Sequence, residues 1–164
     1  MLAIDAERHL LTLAAAAGGG EETLGYDALV VGTGAVPVRP PIEGLAGVDA
    51  LGPEDGVHLL HSMGDTFELM RTLERGRPER AVIVGAGYIG LEMAEALSAR
   101  GLAVTQLEQL PEVLPTVDGE LGALVRGELE RHGVAVRCDT RVRAIARSAA
   151  GAPSPLEVHA VSAG

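Results

Sequence analysis

The residues whose spacing could do chemistry are Gly85-Ala86-Gly87-Tyr88-Ile89-Gly90, a G-x-G-x-x-G run. The apolar segment Ala81-Val82-Ile83-Val84 before it predicts a buried strand, and the stretch after it predicts a helix ending near Arg100. In that setting each glycine has a task. Gly85 permits a tight turn out of the strand, Gly87 lets backbone approach a pyrophosphate, and Gly90 lets the helix pack closely on the sheet. The helix N-terminus then offers unpaired N–H groups and a positive dipole end to phosphate. In a chain with 22 glycines such a run is weak until a second feature joins it. Glu108 is that feature. It follows the next apolar segment, Ala103 to Leu107, at about the 20-residue spacing where an acid meets a ribose 2′-hydroxyl. A carboxylate there accepts hydroxyl hydrogen bonds and repels a 2′-phosphate, and no Arg, Lys or His lies between Gln109 and Gly119 to receive one. Residues 81–108 therefore predict a Rossmann unit that binds NAD(H) in preference to NADP(H).

Other chemistries find no footing. The chain has no G-x-S-x-G elbow, H-E-x-x-H pair, EF-hand loop or Walker lysine, and its five histidines lack metal-ligand spacing. Cys138 is the single cysteine, so neither an internal disulfide nor a C-x-x-C pair can form; it reads as a small apolar strand residue. All 13 basic residues are arginine, which removes any lysine base or Schiff base. A net charge of −10 argues against nucleic acid as a partner. No apolar run approaches the roughly 20 residues that span a bilayer, and the start lacks a leader pattern, so a soluble cytoplasmic protein is expected. On these residues alone the chain is a binding domain without a catalytic set.

The elements that must position these residues follow from patterning. Short strands are expected at Leu2–Ile4, His9–Leu13 and Asp27–Val31, with a break at Gly18-Gly19-Gly20; the Ala14–Ala17 run fits a helical turn equally well. Residues 35–56 hold four prolines and four glycines and read as a crossing between domains. Beyond them strands and helices alternate. Val57–Leu60 predicts a strand. Ser62, with Asp65 three residues on, predicts a capped helix with Met63, Phe67, Met70 and Leu73 on one face, ended by Gly76 and Pro78. Asp118 predicts a third helix with Leu121, Leu124, Val125 and Leu129 facing inward and Gly133 at its end. Val134–Val136, Val142–Ile145 and Leu156–Val161 are β-type, with a turn at Gly151–Pro155 between the last two. The fold class is α/β: a Rossmann-like, doubly wound parallel sheet covered on both faces, with an added β-meander. With 47% apolar residues and only 2% aromatics, its core must be built from Ala, Val, Leu and Ile.

Four stretches together resemble one family. Residues 23–37 (TLGYDALVVGTGAVP) resemble the T-x-x-Y-D-x-L-V-x-A-T-G-x-x-P segment of flavoproteins that bind two dinucleotides, and Pro41-Ile42-Glu43-Gly44 is typical of them. Val82 to Glu95 is similar to their NAD(P)H motif, and Leu107 to Pro115 to the stretch after the ribose acid. The family is the FAD-dependent pyridine nucleotide-disulfide oxidoreductases, closest in the NADH oxidase and coenzyme A-disulfide reductase branch. The resemblance implies hydride transfer from NADH to FAD and on to a disulfide, oxygen or a redox protein. It implies that Tyr88 is the aromatic gate over the flavin, that Glu92 lies near the nicotinamide amide and flavin, and that Thr33 and Gly34 lie near FAD. Gly32 departs from the family's usual alanine. Residues 1–47 are then the end of a first FAD-domain segment and residues 48–164 the NAD(H) domain. The family's FAD-binding glycine motif, redox cysteine region, second flavin segment and dimerisation domain have no counterpart here. A part of a larger, homodimeric enzyme is therefore expected, inactive alone. A ferredoxin or rubredoxin reductase-type domain and a stand-alone NAD-binding sensor are the alternatives; a sensor has no reason to keep the flavin-side residues 1–34.

Overall fold

A computed structural model describes residues 1–15 and 19–162; Ala16 and Ala17 of the expected helical turn at Ala14–Ala17, and Gly18 of the expected break, lie outside them. The chain divides into two compact units, Met1–Pro37 and Val38–Gly164.

In the first unit β1 (Ala3–Asp5), β2 (Leu10–Ala14) and β3 (Glu21–Gly25) form an antiparallel sheet in that order. The Asp5 carboxylate accepts the N–H groups of Glu7 and Arg8 and so turns the chain from β1 into β2. His9, at φ 54°, stacks its ring on Tyr26 at 5.3 Å. The third strand is Glu21–Gly25 and not the expected Asp27–Val31. Leu10–Ala14 pairs with β1 on one edge and with Gly25–Glu21 on the other, so both edges of β2 are taken. Residues 27–31 join no ladder, and Val30 is 90% exposed. The outer edges of β1 and β3 carry no ladder among the described residues, so composition alone does not make residues 27–31 a strand.

The second unit holds α1 (Met63–Gly76), β4 (Arg80–Val84), α2 (Tyr88–Ala99), β5 (Ala103–Leu107), α3 (Gly119–Arg131), β6 (Ala135–Arg137), β7 (Thr140–Arg147) and β8 (Leu156–Ser162). Strands β4, β5 and β6 pair in parallel with β5 in the centre, which is the Rossmann-like arrangement expected. Side chains alternate across the sheet, so Val104 and Leu107 point to opposite faces. Val104 packs with Ala94 and Leu97 of α2 and with Val134; Leu73 of α1 and Leu129 of α3 pack against the same cluster. Leu107 packs instead with Ile42, Leu45 and Val142, with Ile145 and Val158 of the antiparallel β7–β8 pair against them. One face is thus covered by helices and the other by β-structure.

Three local expectations are corrected. Val57–Leu60 forms no strand; it is half-buried and unladdered, with Val57 packed against the Ile42–Leu107 cluster. The Pro/Gly-rich stretch is not a free linker throughout. Ile42, Leu45 and Leu51 are buried, and the Glu43 N–H and carbonyl bond Arg143 and Ile145 of β7. The break in packing falls between Pro37 and Val38. Finally, Leu121 and Leu124 of α3 face outward, Leu124 being 70% exposed. The inward face is Gly122, Val125, Arg126 and Leu129, because α3 approaches residues 112–113 so closely at Gly122 that no larger residue fits there. Helix α1 likewise keeps Met63, Phe67 and Met70 exposed and sets only Leu73 against the core. Its cap is as expected: the Ser62 hydroxyl accepts the Asp65 N–H, and the Asp65 carboxylate accepts the Ser62 N–H at 2.7 Å.

Candidate dinucleotide site

The end of the central strand meets the glycine turn. Gly85 leaves β4 at φ +101°, in the region that favours glycine, and its N–H donates to the Leu107 carbonyl at 2.8 Å. Helix α2 then starts from Gly87 as its N-cap. Gly87 has no side chain to cap the helix, no acidic residue occupies the first turn, and the space where its Cβ would sit is open. The N–H groups of that turn therefore meet no side-chain acceptor, and an anion can approach them closely. At Gly90 a Cβ would collide with the Gly85 carbonyl oxygen, so that glycine is required by helix-on-turn packing.

Glu108 is 6% exposed and holds two backbone groups at once. Its Oε2 accepts the Ala86 N–H at 2.7 Å and its Oε1 accepts the Leu110 N–H at 2.9 Å. The carboxylate thus ties the glycine turn to the loop that leaves β5. A carboxylate has about four acceptor positions, so two remain for a ribose. Ala86 is fully buried and its carbonyl accepts the Leu114 N–H at 2.8 Å, closing the same loop against the turn from its far end.

That loop is braced from α3. Glu112 receives a forked hydrogen bond from Arg126, with Nε at 3.0 Å from Oε1 and Nη2 at 3.1 Å from Oε2, and also accepts the Val113 N–H at 2.9 Å. Burial works to raise the Glu112 carboxyl, but the Arg126 and Val113 hydrogen bonds and the Arg126 charge outweigh it and hold its pKa below the ordinary glutamate value. A Cβ on Gly122 would lie 2.7 Å from the Val113 carbonyl oxygen. Cys138 places its sulfur 3.8 Å from Glu112 Oε1; burial, then the Glu112 charge, pushes the thiol up, which keeps it a poor nucleophile.

Of the expected site residues, the structure brings Gly85, Ala86, Gly87, Tyr88, Ile89, Gly90 and Glu108 together at the open end of β4 and β5. Tyr88 is 63% exposed, with its hydroxyl 3.3 Å from the Thr116 hydroxyl, and Glu92 is exposed one helical turn further on. Thr33 and Gly34 belong to the first unit, where they are exposed and outside any ladder. Sequence reasoning passed over Gln106, Glu112, Arg126, Gly122 and Thr116. The available signals were a polar residue in a strand expected to be buried on both faces, and a glycine at an interior helical position. No cluster of metal-ligating side chains exists among the described residues, and no described helix is long and apolar enough to cross a membrane.

The shape and donor set fit a dinucleotide, and comparisons with known proteins point the same way. The family profile for pyridine nucleotide-disulphide oxidoreductase matches residues 1–161. An NADH oxidase of Methanocaldococcus jannaschii is 39% identical over 119 residues, covering 72% of this chain and 25% of that protein. Among solved structures, a NAD-dependent persulfide reductase from A. fulgidus superposes with a TM-score of 0.68 at 39% identity, covering 88% of this chain and 25% of that one. A water-forming NADH oxidase from Lactobacillus brevis, solved bound to NADH, has a TM-score of 0.68 at 28% identity over 97% of this chain and 33% of its own. The chain spans a quarter to a third of the length of these relatives.

Proposed function

The chain belongs to the pyridine nucleotide-disulphide oxidoreductases, and we propose that it forms the NADH-binding part of a flavoprotein enzyme of that family. The reading is carried by one observation: a glycine turn opening an uncapped helix beside a buried glutamate that ends the central strand. The pyrophosphate lies against the first turn of α2, at Gly87, Tyr88 and Ile89, and the adenosine ribose bonds the free acceptor positions of Glu108. The absence of a cation between Gln109 and Gly119 disfavours a 2′-phosphate, so NADH is the preferred nucleotide.

NADH supplies a hydride to FAD in such an enzyme, and the electrons pass on to a disulfide, oxygen or a redox protein. Tyr88 serves as the aromatic gate, with its hydroxyl in contact with that of Thr116. Glu92 faces the nicotinamide end, and Thr33 and Gly34 contact FAD. By sequence, residues 1–47 are assigned to the FAD-domain segment and residues 48–164 to the NAD(H) domain, with residues 38–47 packing in the same compact unit as the latter. The chain has no catalytic residues of its own and does not turn over alone.

Calorimetric titration of the purified chain with NADH and NADPH, with a visible absorption spectrum for flavin, tests the reading. The expected result is binding of NADH, weaker binding of NADPH and no flavin absorbance. Tighter binding of NADPH overturns the role of Glu108, and binding of neither nucleotide overturns the site.

A further inference from the structure

Gln106 is wholly buried in the middle strand of the parallel sheet, two residues from Val104, which packs into an apolar cluster. Its Nε2 donates to the Gly85 carbonyl at 3.1 Å, while its Oε1 has no partner. Only the amide nitrogen can face a carbonyl oxygen, so the chemistry of the contact fixes the orientation of the amide. A buried amide left half satisfied costs more stability than its one hydrogen bond returns, and an apolar residue of the same size would not carry that cost. Packing alone therefore does not account for glutamine here.

The Gly85–Ala86 peptide unit gives the account. Its carbonyl accepts from Gln106 and its N–H donates to Glu108 at 2.7 Å. Two side chains two residues apart, Gln106 of β5 and Glu108 just past its end, thus grip one peptide plane at both ends. That plane follows Gly85 at φ +101° and leads directly into Gly87, the N-cap of α2. Glycine has little barrier of its own to rotation of the following peptide, so the turn needs an external constraint to keep one orientation. Gly90 leaves the room: a Cβ there would collide with the Gly85 oxygen and sit 3.0 Å from Gln106 Nε2.

The geometry points to Gln106 as a positioning residue for dinucleotide binding, which locks the Gly85–Ala86 peptide so that the first turn of α2 is presented ready-made to the pyrophosphate. This rests on the NADH-binding reading above. Gln106 touches no nucleotide itself; it acts through the turn.

The test compares the full chain with Gln106→Leu, which keeps the size of the side chain and removes both its donor and its unpartnered oxygen. Two readouts are taken: amide hydrogen exchange without nucleotide, and calorimetric NADH affinity together with the thermal midpoint. Q106L should exchange the Ala86 amide at least about tenfold faster and bind NADH about tenfold more weakly, with a thermal midpoint equal to or above that of the parent. A merely structural role would instead move affinity and thermal midpoint down together, with faster exchange throughout the sheet, and that result overturns the proposal. So does unchanged Ala86 exchange. If the parent chain binds no NADH, the functional reading fails, and the exchange of Ala86 in Q106L still decides whether Gln106 locks the turn.

Discussion

Replacing Glu108 by Gln separates a ribose selector from a structural strut. In the structure the carboxylate is buried and accepts two backbone N–H groups, from Ala86 and Leu110. Glutamine keeps one acceptor oxygen and turns an NH2 group toward the other N–H. One charge-assisted hydrogen bond, worth about 1.5–3 kcal/mol, is lost and a buried donor is left facing a donor, at about 1–3 kcal/mol more. With partial relaxation, a net loss of about 2–4 kcal/mol follows. At about 2–4 °C per kcal/mol for a chain of this size, the thermal midpoint should fall by roughly 4–16 °C. Because the turn and the loop lose their common anchor, NADH affinity should fall by at least about tenfold, and NADPH affinity should not rise. Differential scanning calorimetry and nucleotide titration measure both. A ribose selector with no structural duty would leave the midpoint of E108Q in place and bring NADPH affinity up toward that of NADH; that pair of results would falsify the strut argument.

Gly122→Ala should lower the thermal midpoint, by about 1–3 kcal/mol of overpacking, because its methyl would press on the Val113 carbonyl and the Glu112 side chain; a midpoint within 1 °C of the parent, about the precision of the scan, would remove the tight approach of α3. Glu112, Asp55 and Asp65 all titrate below their ordinary values, Asp55 and Asp65 chiefly through backbone N–H groups of Gly52 and Ser62. Depressed carboxyl groups add stability that is complete above their unfolded values and is lost as pH falls through the folded ones. The chain should therefore hold near-constant stability down to about pH 5 and lose it progressively below about pH 4. Arg126→Met, which removes the cation from Glu112, should shift the acid-unfolding midpoint upward in a circular-dichroism titration; an unshifted midpoint would show that this ion pair adds nothing. Thr116→Val should leave the fold intact and loosen the Tyr88 ring, seen as faster acrylamide quenching of its fluorescence relative to the parent after subtracting Tyr26 with a Tyr26→Phe background.

What was legible in the sequence is what is local along the chain. The glycine turn, the strand before it, the Ser62–Asp65 cap and the position of Glu108 each depend on spacings of a few residues or on one strand–helix–strand unit, and each stands where patterning puts it. The braces were not legible because they join elements whose distance in sequence says nothing of their distance in space. Arg126 meets Glu112 only because α3 returns across the loop, and it returns closely only because position 122 lacks a side chain. The same blindness misassigned the helix faces. An apolar count along α3 favours Leu121 and Leu124, whereas the approach at Gly122 rotates the inward face onto Gly122, Val125, Arg126 and Leu129. Strand pairing fails in the same way: Asp27–Val31 has the composition of a strand but joins no ladder, while the more polar Glu21–Gly25 pairs along β2. Gln106 lies between these cases. Its departure from the apolar pattern of a central parallel strand was visible in the residues, but its meaning needed the Gly85 carbonyl beside it. A polar residue that breaks a buried strand's pattern is therefore worth testing first against the backbone of the turn that the strand supports, before any ligand is sought for it.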